Sequence, residues 1–188
     1  MEKRELFTVT VYSENRVGLL SLISNTFTRR KLNIETLSVS PSSIEGLHKF
    51  TITVETEYST LVKLVKQIEK RIDVLKAFYY RDDEIVFQEI ALYKVQTDML
   101  TAKANVEEIV RRYGLRVLEM KPEYVVFEKT GHHDETQALF EELKQVGLRQ
   151  FVRSGRVAVT RSTAERVSEF LSQRAQSAEE NQDELLHK

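Results

Sequence analysis

The chain has 188 residues, of which 41% are hydrophobic, and its 28 basic and 29 acidic side chains give a net charge of -1. This balance argues against nucleic-acid binding, which needs a strongly positive surface. The absence of cysteine excludes disulfides, thiolate zinc sites and a cysteine nucleophile. With no apolar run near the ~20 residues that span a bilayer, we expect a cytoplasmic protein without a membrane partner.

The first half predicts the order strand, helix, strand, strand, helix, strand. ELFTVTVYS places Phe7, Val9 and Val11 on one face of a strand. Helical spacing follows over residues 17–30, and NIETLSVS and LHKFTITVET read as two strands. A helix with an apolar stripe over residues 61–68 and the strand DVLKAFYY complete the unit. This order predicts one antiparallel sheet with two helices on one face.

The second half repeats the same order after a charged break at residues 81–84. The segments read as strands at 88–97, 115–121, 123–130, 148–155 and 156–161, with helices at 101–114 and 134–147. We therefore predict an α+β protein with two consecutive ferredoxin-like βαββαβ domains, at 1–82 and 83–161. The tail, 162–188, predicts one more helix that gives way to a polar, disordered end.

The loop of residues 14–18 is the first candidate site, because Asn15 and Gly18 stand where the first strand passes into the first helix. Unpaired amides at a helix start can bind a carboxylate, and glycine lets a ligand approach the main chain closely. Asn15 offers both a donor and an acceptor. The alternative is that Asn15 caps the helix and Gly18 relieves crowding; from these residues alone, that alternative is favoured.

The segment ENRVGLLSLISNTFTRRKLNIETLSV resembles the opening of an ACT domain, and specifically that of the regulatory small subunit of acetolactate synthase (acetohydroxyacid synthase). The similarity continues through FTITV, QIEKRIDVLK, EIALYKV and FVRSGRVAVTR, so that it covers roughly residues 6–161. Two departures stand out. Lys31 and Leu32 occur where the family usually has a glycine, so a lysine has to adopt a turn that suits glycine. Ser154 replaces a threonine.

The resemblance implies a homodimer, paired through its ACT domains, with a branched-chain amino acid (valine, leucine or isoleucine) bound at the interface. Asn15, Gly18 and Leu19 of one chain would hold the charged groups of the ligand, and Asn33 and Ile34 of the other would complete the pocket. Leu19 and Ile34 are aliphatic and suit the side chain of such a ligand. The alternative for both residues is ordinary packing.

Five further residues are candidates only through the resemblance. Ser40 and Gln67 would lie near the effector, although packing is an equal explanation for Gln67. Arg153, Ser154 and Gly155 match a family segment that could contact the large subunit, and an ordinary strand turn explains them about as well.

The resemblance also implies that this chain has no catalytic residues, cofactor or metal of its own. It would activate a large subunit that carries thiamine diphosphate, Mg and FAD and condenses two pyruvates, or pyruvate with 2-oxobutyrate. Binding of the amino acid would inhibit that reaction as feedback in branched-chain amino acid biosynthesis. His132, His133 and Asp134 favour a helix start over a metal site, because adjacent histidines on a turn rarely converge on one ion.

Two other functions fit the predicted fold. A stand-alone amino-acid sensor controlling another enzyme differs from the small subunit only in the second half, where EIALYKV and FVRSGRVAV favour acetolactate synthase. An RNA-binding module is less favoured, because KFTITV lacks the aromatic and glycine pattern of an RNA-recognition strand.

Overall fold

A computed structural model describes residues 2–98, 100, 106–163 and 166–186, with side chains described up to residue 176. The first half forms a four-stranded sheet in the order β2-β3-β1-β4, with two helices. The elements are β1 (Glu5–Glu14), α1 (Leu19–Thr28), β2 (Thr36–Pro41), β3 (Leu47–Thr56), α2 (Tyr58–Glu69) and β4 (Val74–Tyr80). This confirms the predicted ferredoxin-like order, although the second strand begins at Thr36, three residues later than its predicted start at Asn33.

The second half repeats that topology after a short 3-10 turn, Asp82–Glu84. Its sheet has the order β6-β7-β5-β8, and a further strand, β9, pairs with β5. The elements are β5 (Ile85–Gln96), α3 (Val106–Tyr113), β6 (Arg116–Met120), β7 (Tyr124–Gly131), α4 (His133–Gln145), β8 (Leu148–Arg153) and β9 (Val157–Thr160). The predicted start of the first helix, residues 101–105, lies outside the described residues. The two sheets confirm the α+β class.

The first core forms where the predicted apolar face of β1 meets the two helices. Antiparallel pairing places Val9 opposite Ile52 of β3 and Tyr79 of β4. The apolar stripes of α1 and α2 cover this face, because both helices repeat buried residues at a helical period. The buried side chains include Phe7, Val9, Val11, Ile23, Phe27, Phe50, Ile52, Val54, Leu61, Leu64 and Ile68.

The C-terminal tail is helical and belongs to the first compact unit. Helix α5 (Arg166–Leu186) extends through the polar stretch that the sequence predicted to be disordered. Val167 is fully buried, the Arg166 guanidinium lies 5.1 Å from the ring centroid of Tyr80, and Lys76 lies 5.3 Å from that of Phe170.

By density of contacts the chain divides into two compact units. The first comprises Met1–Glu35, Val39–Val86 and Val159–Lys188, and the second comprises Thr36–Ser38 and Phe87–Ala158.

Tyr93 lies at the centre of the second core, whose other members include Ala91, Val95, Val125, Phe127, Leu139 and Leu143. Its hydroxyl donates a hydrogen bond of 2.6 Å to the carbonyl of Thr136. Burial raises the pKa of Tyr93 to about 12, and the positive charge of Arg153 opposes that rise. The phenol therefore stays protonated in the folded chain at a pH where it ionises in the unfolded chain.

We expect Tyr93→Phe to change how stability depends on pH. A tyrosine whose pKa is raised in the folded state contributes stability that is complete below pH 10, and that contribution is lost as pH rises from about 10 to about 12. The variant should lose about 1 kcal/mol near neutral pH, because the hydrogen bond to Thr136 is gone. As the pH rises from 10 to 11.5, the variant should then lose about 2 kcal/mol less stability than the native chain. Urea unfolding at pH 8 and pH 11.5 measures both differences, and parallel pH profiles would contradict the assignment.

Candidate functional site

The loop between β1 and α1 presents backbone amides at an exposed helix start. Gly18 has a φ of 87°, in the left-handed region that favours glycine, and stands immediately before α1. A Cβ placed on Gly18 would meet nothing within 4 Å. Asn15 is exposed, the first turn of α1 contains no acidic residue, and no side chain caps the helix. The Leu19 amide donates to the Arg16 carbonyl at 3.3 Å, and the uncapped helix start gives the loop a partial positive charge that favours an incoming anion.

Ion pairs hold this loop in place. The Arg16 guanidinium lies 2.8 Å from a carboxylate oxygen of Glu14 and 2.8 Å from one of Asp73. The amide of Glu14 also donates to the Asp73 carbonyl at 3.2 Å. Because two carboxylates already engage Arg16, a ligand carboxylate at this loop would be bound by backbone amides. Sequence reasoning missed this brace, since Asp73 is distant in the chain.

The aliphatic surface beside these amides comes from residues that the sequence did not single out. Leu19 is only 4% exposed, and its side chain lies in the core with Ile23 and Phe27. Its neighbours differ: Val17 is fully exposed and Leu20 is 47% exposed. Leu19 thus anchors the loop in the core, while Val17 and Leu20 carry exposed apolar side chains beside it.

The other candidate residues lie at the far end of α1. Asn33 is exposed and its side-chain amide donates to a carboxylate oxygen of Glu35 at 2.9 Å, while Ile34 is half-buried. Gln67, on α2, accepts a hydrogen bond of 3.0 Å from Arg30, just beyond the end of α1. Ser40 is exposed near the end of β2.

The ten residues of α1 separate the two groups within one chain. At 1.5 Å per residue, the helix keeps Gly18 and the Asn33 segment about 15 Å apart. Within the described residues, no hydrogen bond or ion pair joins Asn15 or Gly18 to Asn33 or Ile34. A free amino acid is too small to contact both ends of such a helix, so one ligand can contact both groups only if a second chain supplies one of them.

Lys31 confirms the prediction that a lysine occupies a glycine-type turn. Its φ is 55°, and it alone among the described residues other than glycine has a positive φ. The Leu32 amide donates to the Phe27 carbonyl at 3.1 Å and the Lys31 amide donates to the Thr28 carbonyl at 2.9 Å. This pair of bonds is a Schellman motif with Lys31 at the position where glycine is usual. It sets the direction in which the chain leaves α1 toward Asn33.

Replacing Lys31 by glycine should stabilise the chain by up to about 1 kcal/mol, because a left-handed backbone costs other residues roughly 1–2 kcal/mol and glycine offsets part of this gain through its flexibility when unfolded. Lys31→Ala is the matched control: it removes the same side chain and keeps the strain, so it should gain nothing. The urea midpoints of both variants test this. Equal midpoints for the two would show that the turn is not strained.

The segment Arg153 to Gly155 is tied into its own domain. The Arg153 guanidinium hydrogen-bonds to the side chain of Gln137 at 3.0 Å and to the ring of His133 at 2.8 Å. The Ser154 hydroxyl accepts the amide of Ile90 at 2.9 Å and donates to the Gly155 carbonyl at 2.8 Å. Ser154 and Gly155 thus link β8 to β9 through a turn held against β5, with Arg153 directed inward.

Beneath this turn lies a buried charge cluster that the sequence analysis did not identify. Glu89, on β5, is 3% exposed. Its carboxylate oxygens lie 3.7 Å from Nε of Arg153 and 3.9 Å from Nε of Arg156. In the alternation along β5, Glu89 shares the inward-facing side of the strand with Ala91 and Tyr93. This position is the one feature of the sequence that could have indicated a buried carboxylate. The cluster holds one carboxylate against two guanidinium groups.

The histidine pair does not form a metal site with other described residues. His133 begins α4, as predicted, and the amide of His132 donates to the Glu135 carboxylate at 2.7 Å. Across the described part of the chain, no group of three or more metal-binding side chains converges. Nor does any helix in that part combine the length and apolar character needed to cross a membrane.

Two successive ferredoxin-like domains, with a glycine loop at the first helix of the first domain, define a two-domain ACT protein. Comparison with known families agrees. Residues 9–76 match the family model described as an AHAS small subunit-like ACT domain, and residues 88–162 match the model for the small subunit of acetolactate synthase.

Individual relatives extend over most of the chain. The acetolactate synthase small subunit of Mycolicibacterium smegmatis is 33% identical over 154 residues, covering 82% of this chain and 90% of the relative. The acetolactate synthase small subunit of Bacillus subtilis is 32% identical over 166 residues, which cover 88% of this chain and 95% of the relative. The crystal structure of the Thermotoga maritima small subunit superposes with a TM-score of 0.77 at 26% identity, covering 85% of this chain and 99% of that one. This chain belongs to the acetolactate synthase small-subunit family, the regulatory and non-catalytic subunits of that enzyme.

Proposed function

We propose that this chain activates the catalytic large subunit of acetolactate synthase and makes it sensitive to feedback inhibition by a branched-chain amino acid. Membership of the small-subunit family supports the partner. The observation that carries the feedback proposal is the loop at Gly18, whose left-handed backbone and uncapped helix start favour a carboxylate beside the apolar side chains of Val17 and Leu20.

In this proposal the ligand carboxylate is bound by the amides around Gly18, and Asn15 contacts its polar groups. Leu19 supports that loop from the core. Asn33 and Ile34 of a second copy close the other side, where Ile34 packs on the aliphatic side chain. Ser40 and Gln67 would lie at the edge of this effector pocket. Gln67 lies beside the same end of α1 as Asn33.

The separation of the two groups along α1 supports a homodimer paired through the ACT domains. Residues 1–82 would form the effector-binding part, 83–161 the second domain and 162–188 the tail. The turn at Arg153, Ser154 and Gly155 would contact the large subunit through its backbone and shape, since its side chains are engaged internally. The thiamine diphosphate, Mg and FAD of the reaction would all belong to the large subunit.

Inhibition requires the amino acid to bind two states of the assembly with different affinity. A tenfold difference corresponds to about 1.4 kcal/mol of coupling. The site suits such coupling, because a ligand shared by two chains senses their relative placement. A change in that placement is a means by which binding can bias the catalytic partner toward a less active state.

Two binding measurements test this proposal. Pull-down of the tagged chain should retain the large subunit from the same cell, and calorimetry should detect one of valine, leucine or isoleucine but not lysine, whose charged side chain has no place against aliphatic walls. Retention of the large subunit without amino-acid binding would reject the effector site. Amino-acid binding without retention would favour a stand-alone sensor.

A further inference from the structure

Gly155 is a glycine whose φ gives no reason for glycine, because that angle lies outside the left-handed region. What the position lacks is space. A Cβ placed on Gly155 would lie 3.3 Å from both the carbonyl carbon and the carbonyl oxygen of Leu37, and 3.5 Å from its amide nitrogen. Glycine here allows two stretches of main chain to lie directly against each other.

Leu37 lies on a strand that takes part in two parts of the structure. Its strand, β2, is an edge strand of the first sheet and neighbours β3. Residues Thr36–Ser38 nevertheless belong to the second compact unit, together with Phe87–Ala158, so the contact of Leu37 with Gly155 lies within that unit. These three residues are half-buried, whereas the next two along the strand are exposed.

The turn that carries Gly155 is firmly fixed. Ser154, just before it, makes two hydrogen bonds with Ile90 of β5: its amide donates to the Ile90 carbonyl at 2.8 Å, and its hydroxyl accepts the Ile90 amide at 2.9 Å. The arginines on either side of this pair of residues face the buried carboxylate of Glu89. Because close-packed atoms transmit strain, a displacement of the Leu37 main chain at this contact displaces the turn as well.

Leu37 also follows closely on one half of the proposed effector site. Asn33 and Ile34 precede it in the chain by only a few residues. A chain spans at most about 3.6 Å per residue, so Ile34 lies within about 11 Å of Leu37. Between them, the Glu35 amide donates to the Thr53 carbonyl at 2.9 Å, which joins this short segment to β3. A ligand that moves Asn33 or Ile34 therefore acts on Leu37 through a short, hydrogen-bonded connection.

We propose that Gly155 is a positioning residue for feedback, and that its contact with Leu37 carries the effect of amino-acid binding at Asn33 and Ile34 to the turn in the second domain. This inference rests on the effector site proposed above and deepens it. The same turn is the one proposed to contact the large subunit, so a ligand that moves Leu37 changes the surface presented to that partner. Coupling of this kind is reciprocal: a change in the turn alters the affinity for the amino acid.

Two substitutions act on this contact in opposite senses. Gly155→Ala adds a methyl group against the Leu37 main chain and tightens the contact, whereas Ser154→Ala removes the hydroxyl that accepts the Ile90 amide and lets the turn yield. Whichever way the ligand moves Leu37, its dissociation constant should shift in opposite directions in the two variants, by at least about twofold in Gly155→Ala. Calorimetry on the full-length chain, titrated with valine, leucine and isoleucine, measures both shifts.

Gly131→Ala is the matched control. The φ of Gly131 also lies outside the left-handed region, but the atoms nearest to its added Cβ belong to the side chains of Glu135 and Lys129, which can move aside. This variant should leave the dissociation constant unchanged. Amide hydrogen exchange without ligand locates the contact independently: residues 35–38 should exchange faster in Gly155→Ala than in the native chain, and at the native rate in Gly131→Ala.

The two measurements separate the ways in which the proposal can fail. Native exchange at residues 35–38 in Gly155→Ala would overturn the contact. Altered exchange with an unchanged dissociation constant, or with a dissociation constant that rises in both variants of the turn, would overturn the transmission and leave a structural role only. A native chain that binds none of the three amino acids would instead reject the proposed effector site, while the exchange rates still decide whether Gly155 holds Leu37.

Discussion

Gly18→Asp should abolish feedback inhibition while leaving activation of the large subunit intact. The new carboxylate would stand where the proposed ligand places its own, and two like charges about 4 Å apart repel by several kcal/mol near a protein surface. We expect the affinity for the amino acid to fall by at least about a hundredfold, or roughly 2.7 kcal/mol. Calorimetry on the isolated chain and inhibition of the reconstituted enzyme both measure this loss.

Gly18→Asn separates charge from shape in this experiment. Asparagine and aspartate have nearly the same size, and both tolerate the left-handed backbone better than other residues. Since a Cβ at Gly18 meets no neighbour within 4 Å, both variants should fold. Gly18→Asn should therefore reduce the affinity for the amino acid much less than Gly18→Asp does. Valine, leucine and isoleucine responses that all survive Gly18→Asp would place the effector site elsewhere.

Glu89→Gln should destabilise the second domain by about 3 kcal/mol. Glu89 is the carboxylate that faces Arg153 and Arg156, whose side chains are 14% and 5% exposed. Removing its charge leaves two largely buried guanidinium groups uncompensated, a change that typically costs 3–5 kcal/mol. The long distances, 3.7 and 3.9 Å, place the expected value at the lower end. Urea unfolding followed by the fluorescence of the tyrosines measures it.

The control for this variant is Glu119→Gln, which removes a carboxylate 46% exposed and 3.8 Å from Lys121. A solvated pair contributes little, so this change should cost less than about 1 kcal/mol. If Glu89→Gln proves equally mild, the Glu89 carboxylate does not compensate the buried charges of Arg153 and Arg156.

Most of the fold was predictable because local patterns and tertiary packing agree. The alternation of Phe7, Val9 and Val11 fixed the inward face of β1, and the same period placed Ala91 and Tyr93 inward on β5. The start of β2 was not predictable from propensity. The turn at Lys31 and the local hydrogen bond from Asn33 to Glu35 keep residues 33 and 34 out of the strand, whereas the Glu35 amide already donates to the Thr53 carbonyl of β3 at 2.9 Å.

The candidate site was predictable only in part. The conformation of Gly18 follows from its place before a helix, and that of Lys31 from the family pattern. The ion pair between Arg16 and Asp73 joins residues far apart in the chain, the exposure of Leu20 depends on the exact rotation of α1, and that of Val17 depends on the path of the loop before it. The sequence did not reveal the Glu89 cluster, because a single acidic residue at an inward-facing position of a strand gives no sign of the arginines that it will meet in the fold.

The most direct test of the proposed function is acetolactate formation by the purified large subunit, measured with and without this chain and then titrated with valine, leucine and isoleucine. We predict a higher rate in the presence of the chain and a loss of that rate with at least one of the three amino acids. A rate that this chain does not change would contradict the account.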